Sequence, residues 1–402
     1  MKLAHSYGLL TLLLIPFTAA PASAAGNEVV PQARWETITP EAAGIDATKI
    51  AHLFSLSFDD PATQAVVLIK NGRLVGERYA DGFNGESVGT SWSMAKSMYA
   101  ALIGISIDRG EIGNLDDKVA DYIDDYKGGR EHISIRHLLD MTSGLAFPEH
   151  EHEAMFFGRD HLAYALKVGV EKQPGEVFEY NNVNSMVLGE VLHRATGKPA
   201  DQLLAERIFD KIGIDKYTLW RDAAGNPMTY CCIDMSARDF SRFGLLFARD
   251  GEWEEQKIIP SGFVDETFQQ VWSDLPSQTI NQLRGYGMHW WVSRNNERAV
   301  IFNTSGKFGQ YIFVDRANDV VFTRITRYRP TGGSVQNWGA MRVFNWIENV
   351  SFLQKLGGFL DRIGLIDLGS DVSTPYTLED GISNQFFSQY RAIVDALVDI
   401  SD

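Results

Sequence analysis

Ser91-Trp92-Ser93-Met94-Ala95-Lys96-Ser97 leads into an apolar run that continues to Ile107, and this stretch decides the fold. From Met94 to Ile107 the apolar residues cover most of a helical circumference, which predicts a helix buried on every side rather than one lying on a surface. Gly110 is a natural stop for it. Ser93 and Lys96 are three residues apart, so hydroxyl and amine fall on one helical face within reach of each other. The first turn also presents backbone N–H groups and the positive end of the helix dipole, which favour negative charge developing near Ser93. Burial lowers the pKa of a lysine, so Lys96 can be a neutral amine able to take a proton from a serine hydroxyl.

Outward from this helix, strands lie toward both ends of the chain. Gln64–Lys70 is apolar and β-branched, Asn71-Gly72 is a hairpin turn, and Arg73–Tyr79 is the return strand. Strand patterns resume at Tyr286–Val292, Ala299–Phe302, Gln310–Val314 and Val320–Ile325, followed by a helix over about Val335–Leu353. Between them lie helical segments at Arg136–Met141, Asn184–Thr196, Pro199–Ile212 and Ser236–Asp250. This order predicts an α+β fold. One sheet draws on both ends of the chain (about 33–134 and 283–353), and a helical lobe (about 135–282) is inserted between them. Residues 354–402 read as a helical appendix, with an amphipathic segment Ser383–Val398 whose apolar face packs on the body or a partner.

Composition narrows the functions. Of 402 residues, 37 are Lys or Arg and 52 Asp or Glu, a net charge of −15 that argues against nucleic acid and against an anionic membrane surface. Two cysteines cannot build a disulfide scaffold or a cysteine-based metal site. They are adjacent, Cys231 and Cys232, and are expected to be two small buried thiols rather than a vicinal disulfide. Residues 1–24 read as a cleavable signal peptide: Lys2, the apolar run Gly8–Ala20, then Ala22-Ser23-Ala24. The run is too short to span a bilayer, so the mature protein is expected to be periplasmic or secreted, with no membrane span.

Two further pieces carry chemistry. Tyr180-Asn181-Asn182 enters an apolar helix, where a phenol can exchange protons beside an ammonium and an amide can bond a substrate carbonyl. Thr304-Ser305-Gly306 precedes Lys307-Phe308-Gly309-Gln310; Gly306 lets a substrate lie against the strand edge, and the next N–H can join that of Ser93 in an oxyanion hole.

In this order the three pieces resemble the serine β-lactamase and penicillin-binding-protein superfamily, whose motif set begins with Ser-x-x-Lys. The resemblance is closest to its class C and esterase branch, and Ser-Trp-Ser-x-Ala-Lys-Ser is similar to the 6-aminohexanoate-dimer hydrolases. Ile135-Arg136-His137-Leu138-Leu139, Thr142-Ser143-Gly144-Leu145 and Ala237-Arg238-Asp239-Phe240 extend it. The resemblance implies a β-lactamase/transpeptidase-like fold with a five-stranded antiparallel sheet flanked by helices. It implies Ser93 as nucleophile, Lys96 as activating amine, Tyr180 as acid/base partner and Asn182 as a carbonyl contact. Thr304 stands where Lys or His is usual, and Ser305 where Thr or Ser is usual. An odd offset from Thr304 would turn Lys307 to the opposite strand face. Loss of the cation favours an esterase or amidase over a β-lactamase or D-Ala-D-Ala carboxypeptidase. A catalytically silent cell-wall or peptide binder is the alternative of another class, but it would not need Ser, Lys and Tyr together.

Other patterns lead elsewhere. Gly85-Glu86-Ser87-Val88-Gly89 matches a nucleophile elbow in letters, but a loop precedes Ser87 and no helix follows at once. Glu149-His150-Glu151-His152 reads as a surface cluster rather than a zinc site, since no H-E-x-x-H is present. No G-x-G-x-x-G or P-loop calls for a cofactor. His137 and His289 are expected to be satisfied core residues. The expected partner is a small ester, amide or peptide.

Overall fold

A computed structural model describes residues 29–31, 34–147, 155–156, 158–269, 284–295, 299–326 and 384–401. The expected signal peptide, the Glu149–His152 cluster, the helix expected at 335–353 and most of the expected appendix lie outside the described residues.

Twelve strands are described: β1 Thr63–Lys70, β2 Arg73–Tyr79, β3 Val88–Thr90, β4 Thr218–Leu219, β5 Ile233–Ser236, β6 Glu252–Trp253, β7 Gln256–Lys257, β8 Arg284–Gly287, β9 Trp290–Asn295, β10 Ala299–Gly306, β11 Gln310–Asp315 and β12 Val320–Thr326. The main sheet runs β2-β1-β12-β11-β10-β9-β8, antiparallel throughout. It has seven strands where the resemblance implied five. One of the extra strands arises because Tyr286–Val292 is not continuous. It breaks at Met288-His289 into the hairpin β8–β9, and neither residue carries the glycine or asparagine signal of a tight turn.

Both faces of the sheet are covered. Along β1, Ala65, Val67 and Ile69 belong to the main core, while Val66 and Leu68 face a second core with Ile50, Leu53 and Phe54 of the helix Ala47–Phe58. Asn384–Ser401 completes that second layer through Phe387, Ile393 and Leu397, so this part of the expected appendix is an integral layer of the domain. Its Tyr390 hydroxyl accepts a 2.7 Å hydrogen bond from the Asn303 amide. On the opposite face lies the helix Ala237–Ala248, seated closely because a Cβ at Gly244 would stand 2.6 Å from Ile312 and 2.7 Å from Val321.

The helix read from the sequence as buried spans Ala95–Asp108, and twelve of its residues are buried, Lys96 among them. A small sheet, β3-β5-β4, backs its N-terminus. Asn71 and Gly72 take positive φ of 50° and 71°, the conformation that makes this dipeptide a hairpin turn. The expected free thiols are corrected: Cys231 and Cys232 are joined as a vicinal disulfide, buried where β5 begins. Sequence spacing alone favoured the thiol form because a pairing of neighbours is rare; the pairing is accompanied by a left-handed backbone at Cys232, φ 72°.

Candidate active site

Ser93 sits in the single turn Trp92–Met94 that runs into the helix Ala95–Asp108. β5 pins this turn from behind. Ser91 N–H donates to the Ile233 carbonyl and Ser91 Oγ accepts from Ile233 N–H, both at 2.8 Å, and Cys232 N–H donates to the Trp92 carbonyl at 3.2 Å. Ser93 stays half-buried and open to a substrate, whereas Lys96 is only 1% exposed.

Lys96 Nζ is hydrogen-bonded to Ser93 Oγ at 2.9 Å and to the Tyr230 carbonyl at 2.8 Å. Aromatic rings close around it: Nζ lies 4.9 Å from the Tyr180 ring centroid and 5.7 Å from that of Tyr230. None of these partners carries a negative charge. Burial therefore holds the Lys96 amine well below the usual lysine range, because an ammonium here would lose its hydration, and none of its described partners is a carboxylate.

Tyr180 lies one residue before Asn181, which caps the helix Asn182–Thr196 by accepting from Asn184 N–H at 3.0 Å. The cap is thus Asn181, leaving Asn182 half-buried in the first turn. The Tyr180 ring stacks on Trp291 at 5.7 Å and meets Tyr286 edge-on at 5.9 Å.

The third element closes the front. A Cβ at Gly306 would stand 2.2 Å from the Ser91 carbonyl oxygen and 3.1 Å from Trp92 Cβ, so only glycine lets β10 approach the Ser93 turn. Thr304 is fully buried, and its Oγ1 has no hydrogen-bond partner among the described residues. Ser305 Oγ donates to Asn303 Oδ1 at 3.0 Å, on the side chain that also bonds Tyr390. Lys307 departs from the expectation. β10 ends at Gly306, a turn Lys307–Gly309 begins, and strand alternation no longer applies. Its ammonium stands 5.9 Å from the Trp92 ring centroid and 5.3 Å from that of Phe308.

Ser93, Lys96, Tyr180 and Gly306 therefore converge from a core helix, a helix entry and a strand end. Ser87 does not join them; its Oγ accepts from Asn84 N–H at 2.9 Å within an outer turn. His137 Nδ1 accepts from Ser134 N–H and completes a helix cap. Sequence reasoning missed the Tyr230 carbonyl, since a backbone acceptor leaves no trace in residue type. No group of three or more potential metal ligands occurs among the described residues. No described helix is long and apolar enough to cross a membrane.

An antiparallel sheet sandwiched by helices, with a Ser-x-x-Lys turn against the end of β10, defines the β-lactamase/transpeptidase-like fold. Residues 61–343 match the Beta-lactamase family, and the chain belongs to that family of hydrolases. The 6-aminohexanoate-dimer hydrolase of Paenarthrobacter ureafaciens is 22% identical over 293 residues, 67% of this chain and 74% of the relative. A Bacillus anthracis structure provisionally assigned the same activity superposes with a TM-score of 0.66 at 20% identity, covering 92% of this chain and 87% of the other. A family VIII carboxylesterase structure superposes with a TM-score of 0.58 at 19% identity, covering 69% of this chain and 90% of the other.

Proposed function

We propose that the protein is a serine hydrolase that cleaves an ester or amide bond through an acyl-enzyme on Ser93. One observation carries this: a buried Lys96 amine hydrogen-bonded at 2.9 Å to the half-buried Ser93 hydroxyl. Ser93 Oγ attacks the carbonyl carbon while its proton moves to Lys96, with Tyr180 beside that amine to relay it. The tetrahedral oxyanion takes hydrogen bonds from the N–H groups of Ser93 and Lys307, and Asn182 steadies a substrate carbonyl. Collapse breaks the C–O or C–N bond, and the relayed proton leaves with the alcohol or amine. Water, losing its proton to the same pair, then attacks the acyl carbon and releases the acid and Ser93.

Thr304 offers one neutral buried hydroxyl and no cation, which favours general esters and amides over β-lactams or peptide carboxylates. The activity is proposed to lie in the periplasm or outside the cell. The signal-peptide pattern of residues 1–24 supports this. A panel of p-nitrophenyl butyrate, a linear amide dimer, a D-Ala-D-Ala peptide and a chromogenic cephalosporin tests the substrate class with wild type and Ser93→Ala. Ester or amide turnover that needs Ser93 is expected; efficient cephalosporin turnover would overturn the preference drawn from Thr304.

A further inference from the structure

His289 occupies a position whose backbone suits glycine. Met288 and His289 form the two-residue turn of hairpin β8–β9 with φ of 51° and 65°, both left-handed. Such turns select Asn-Gly or Gly-Gly because L side chains are strained there. A buried imidazole held in that conformation calls for a role that offsets the strain.

Its contacts reach each segment that carries the site. His289 N–H and Nδ1 both meet the Leu139 carbonyl, at 2.9 and 2.8 Å, so Nδ1 must carry the proton. Nε2 is then the acceptor of the 2.9 Å bond from Ser185 Oγ, one turn into the helix that Tyr180 precedes. The His289 carbonyl accepts from Ser97 Oγ at 2.6 Å, next to Lys96 on the core helix. Ser185 in turn accepts, at its carbonyl, from Thr229 Oγ1 at 2.7 Å, one residue before the carbonyl that holds Lys96. The two strands that the turn joins supply Tyr286 and Trp291, the rings that flank Tyr180. Burial and the nearby Lys96 push the imidazole down to about 3, so it stays a neutral connector throughout the working pH range.

We infer that His289 is a positioning residue: its imidazole fixes the hairpin that clamps Tyr180 against the helix that carries Lys96. This rests on the Ser93–Lys96–Tyr180 reading above.

His289→Gly is the informative variant, because glycine accepts φ 65° without strain while the imidazole contacts are lost. His289→Gln offers an amide N–H for Leu139 and an oxygen for Ser185. With p-nitrophenyl butyrate, His289→Gly should lose 30-fold or more in kcat with KM within about threefold of wild type, while its thermal midpoint confirms a folded protein at assay temperature. His289→Gln should recover at least a third of the lost logarithmic rate. A folded His289→Gly that keeps kcat within threefold overturns the inference, as does a folded His289→Gln no better than His289→Gly. Retained esterase activity in Ser93→Ala would instead overturn the parent reading, whatever the His289 variants do.

Discussion

Replacing Lys96 with Met removes the amine, keeps a flexible side chain of similar volume, and should move activity and stability in opposite directions. Lys96 is 1% exposed, and its hydrogen-bond partners are the Ser93 hydroxyl and the Tyr230 carbonyl. Loss of a positioned acid–base group costs about 10²–10⁴ in rate, or about 3–5 kcal/mol of transition-state stabilisation. Stability follows from linkage. In the unfolded chain the amine titrates near its ordinary value of about 10.4, whereas burial lowers it well below that in the fold. Between the folded and the unfolded pKa the unfolded chain binds more protons, so wild-type stability rises with pH across that window, by about 1.4 kcal/mol per unit. Lys96→Met has no amine to deprotonate on folding, so its stability relative to wild type should fall between pH 7 and pH 9. Urea unfolding of both proteins at the two pH values reads this difference directly. Parallel stabilities at pH 7 and pH 9 would show that Lys96 is charged in the fold and would refute it as a neutral base.

Three other outcomes are expected. Tyr180→Phe keeps the ring that Trp291 and Tyr286 flank but removes the hydroxyl, and should lower kcat by about 10²–10⁴ with little change in thermal midpoint; unchanged kcat would remove Tyr180 from proton transfer. Gly306→Ala sets a Cβ 2.2 Å from the Ser91 carbonyl oxygen, so β10 must withdraw; about 1–3 kcal/mol of stability should be lost, along with most esterase activity, as denaturant midpoints and steady-state rates will report. Arg324 and Asp60, both buried, form an ion pair at 2.6 Å, and Arg324 also donates to the Gly309 carbonyl in the turn that follows Lys307. Asp60→Ala should therefore cost about 3–5 kcal/mol, whereas Asp60→Leu with Arg324→Met should recover most of that; equal unfolding midpoints for the two variants would contradict this.

The sequence made the core helix legible because its apolar residues wrap the whole circumference, and Ser93 and Lys96 share a face by spacing alone. Asn71-Gly72 announced its hairpin through turn chemistry. The hairpin at Met288-His289 was hidden, since its residues read as strand and the left-handed backbone is imposed by contacts with Leu139, Ser97 and Ser185. Lys307 was misdirected by a strand periodicity that stops one residue earlier. The Tyr230 carbonyl and the Cys231–Cys232 pairing depend on backbone placement that no residue pattern encodes. The helix Asn384–Ser401 showed its amphipathicity, but which surface it covers is set by tertiary contacts with the helix Ala47–Phe58 and the sheet.

The central claim is a covalent bond to one oxygen atom. Intact-mass measurement after treatment with a fluorophosphonate serine probe tests it most directly. Wild type should gain the mass of one adduct, mapped by peptide sequencing to Ser93, and Ser87→Ala should label as wild type does. Ser93→Ala should gain none; labelling that survives this substitution, or an adduct that maps elsewhere, would contradict the account.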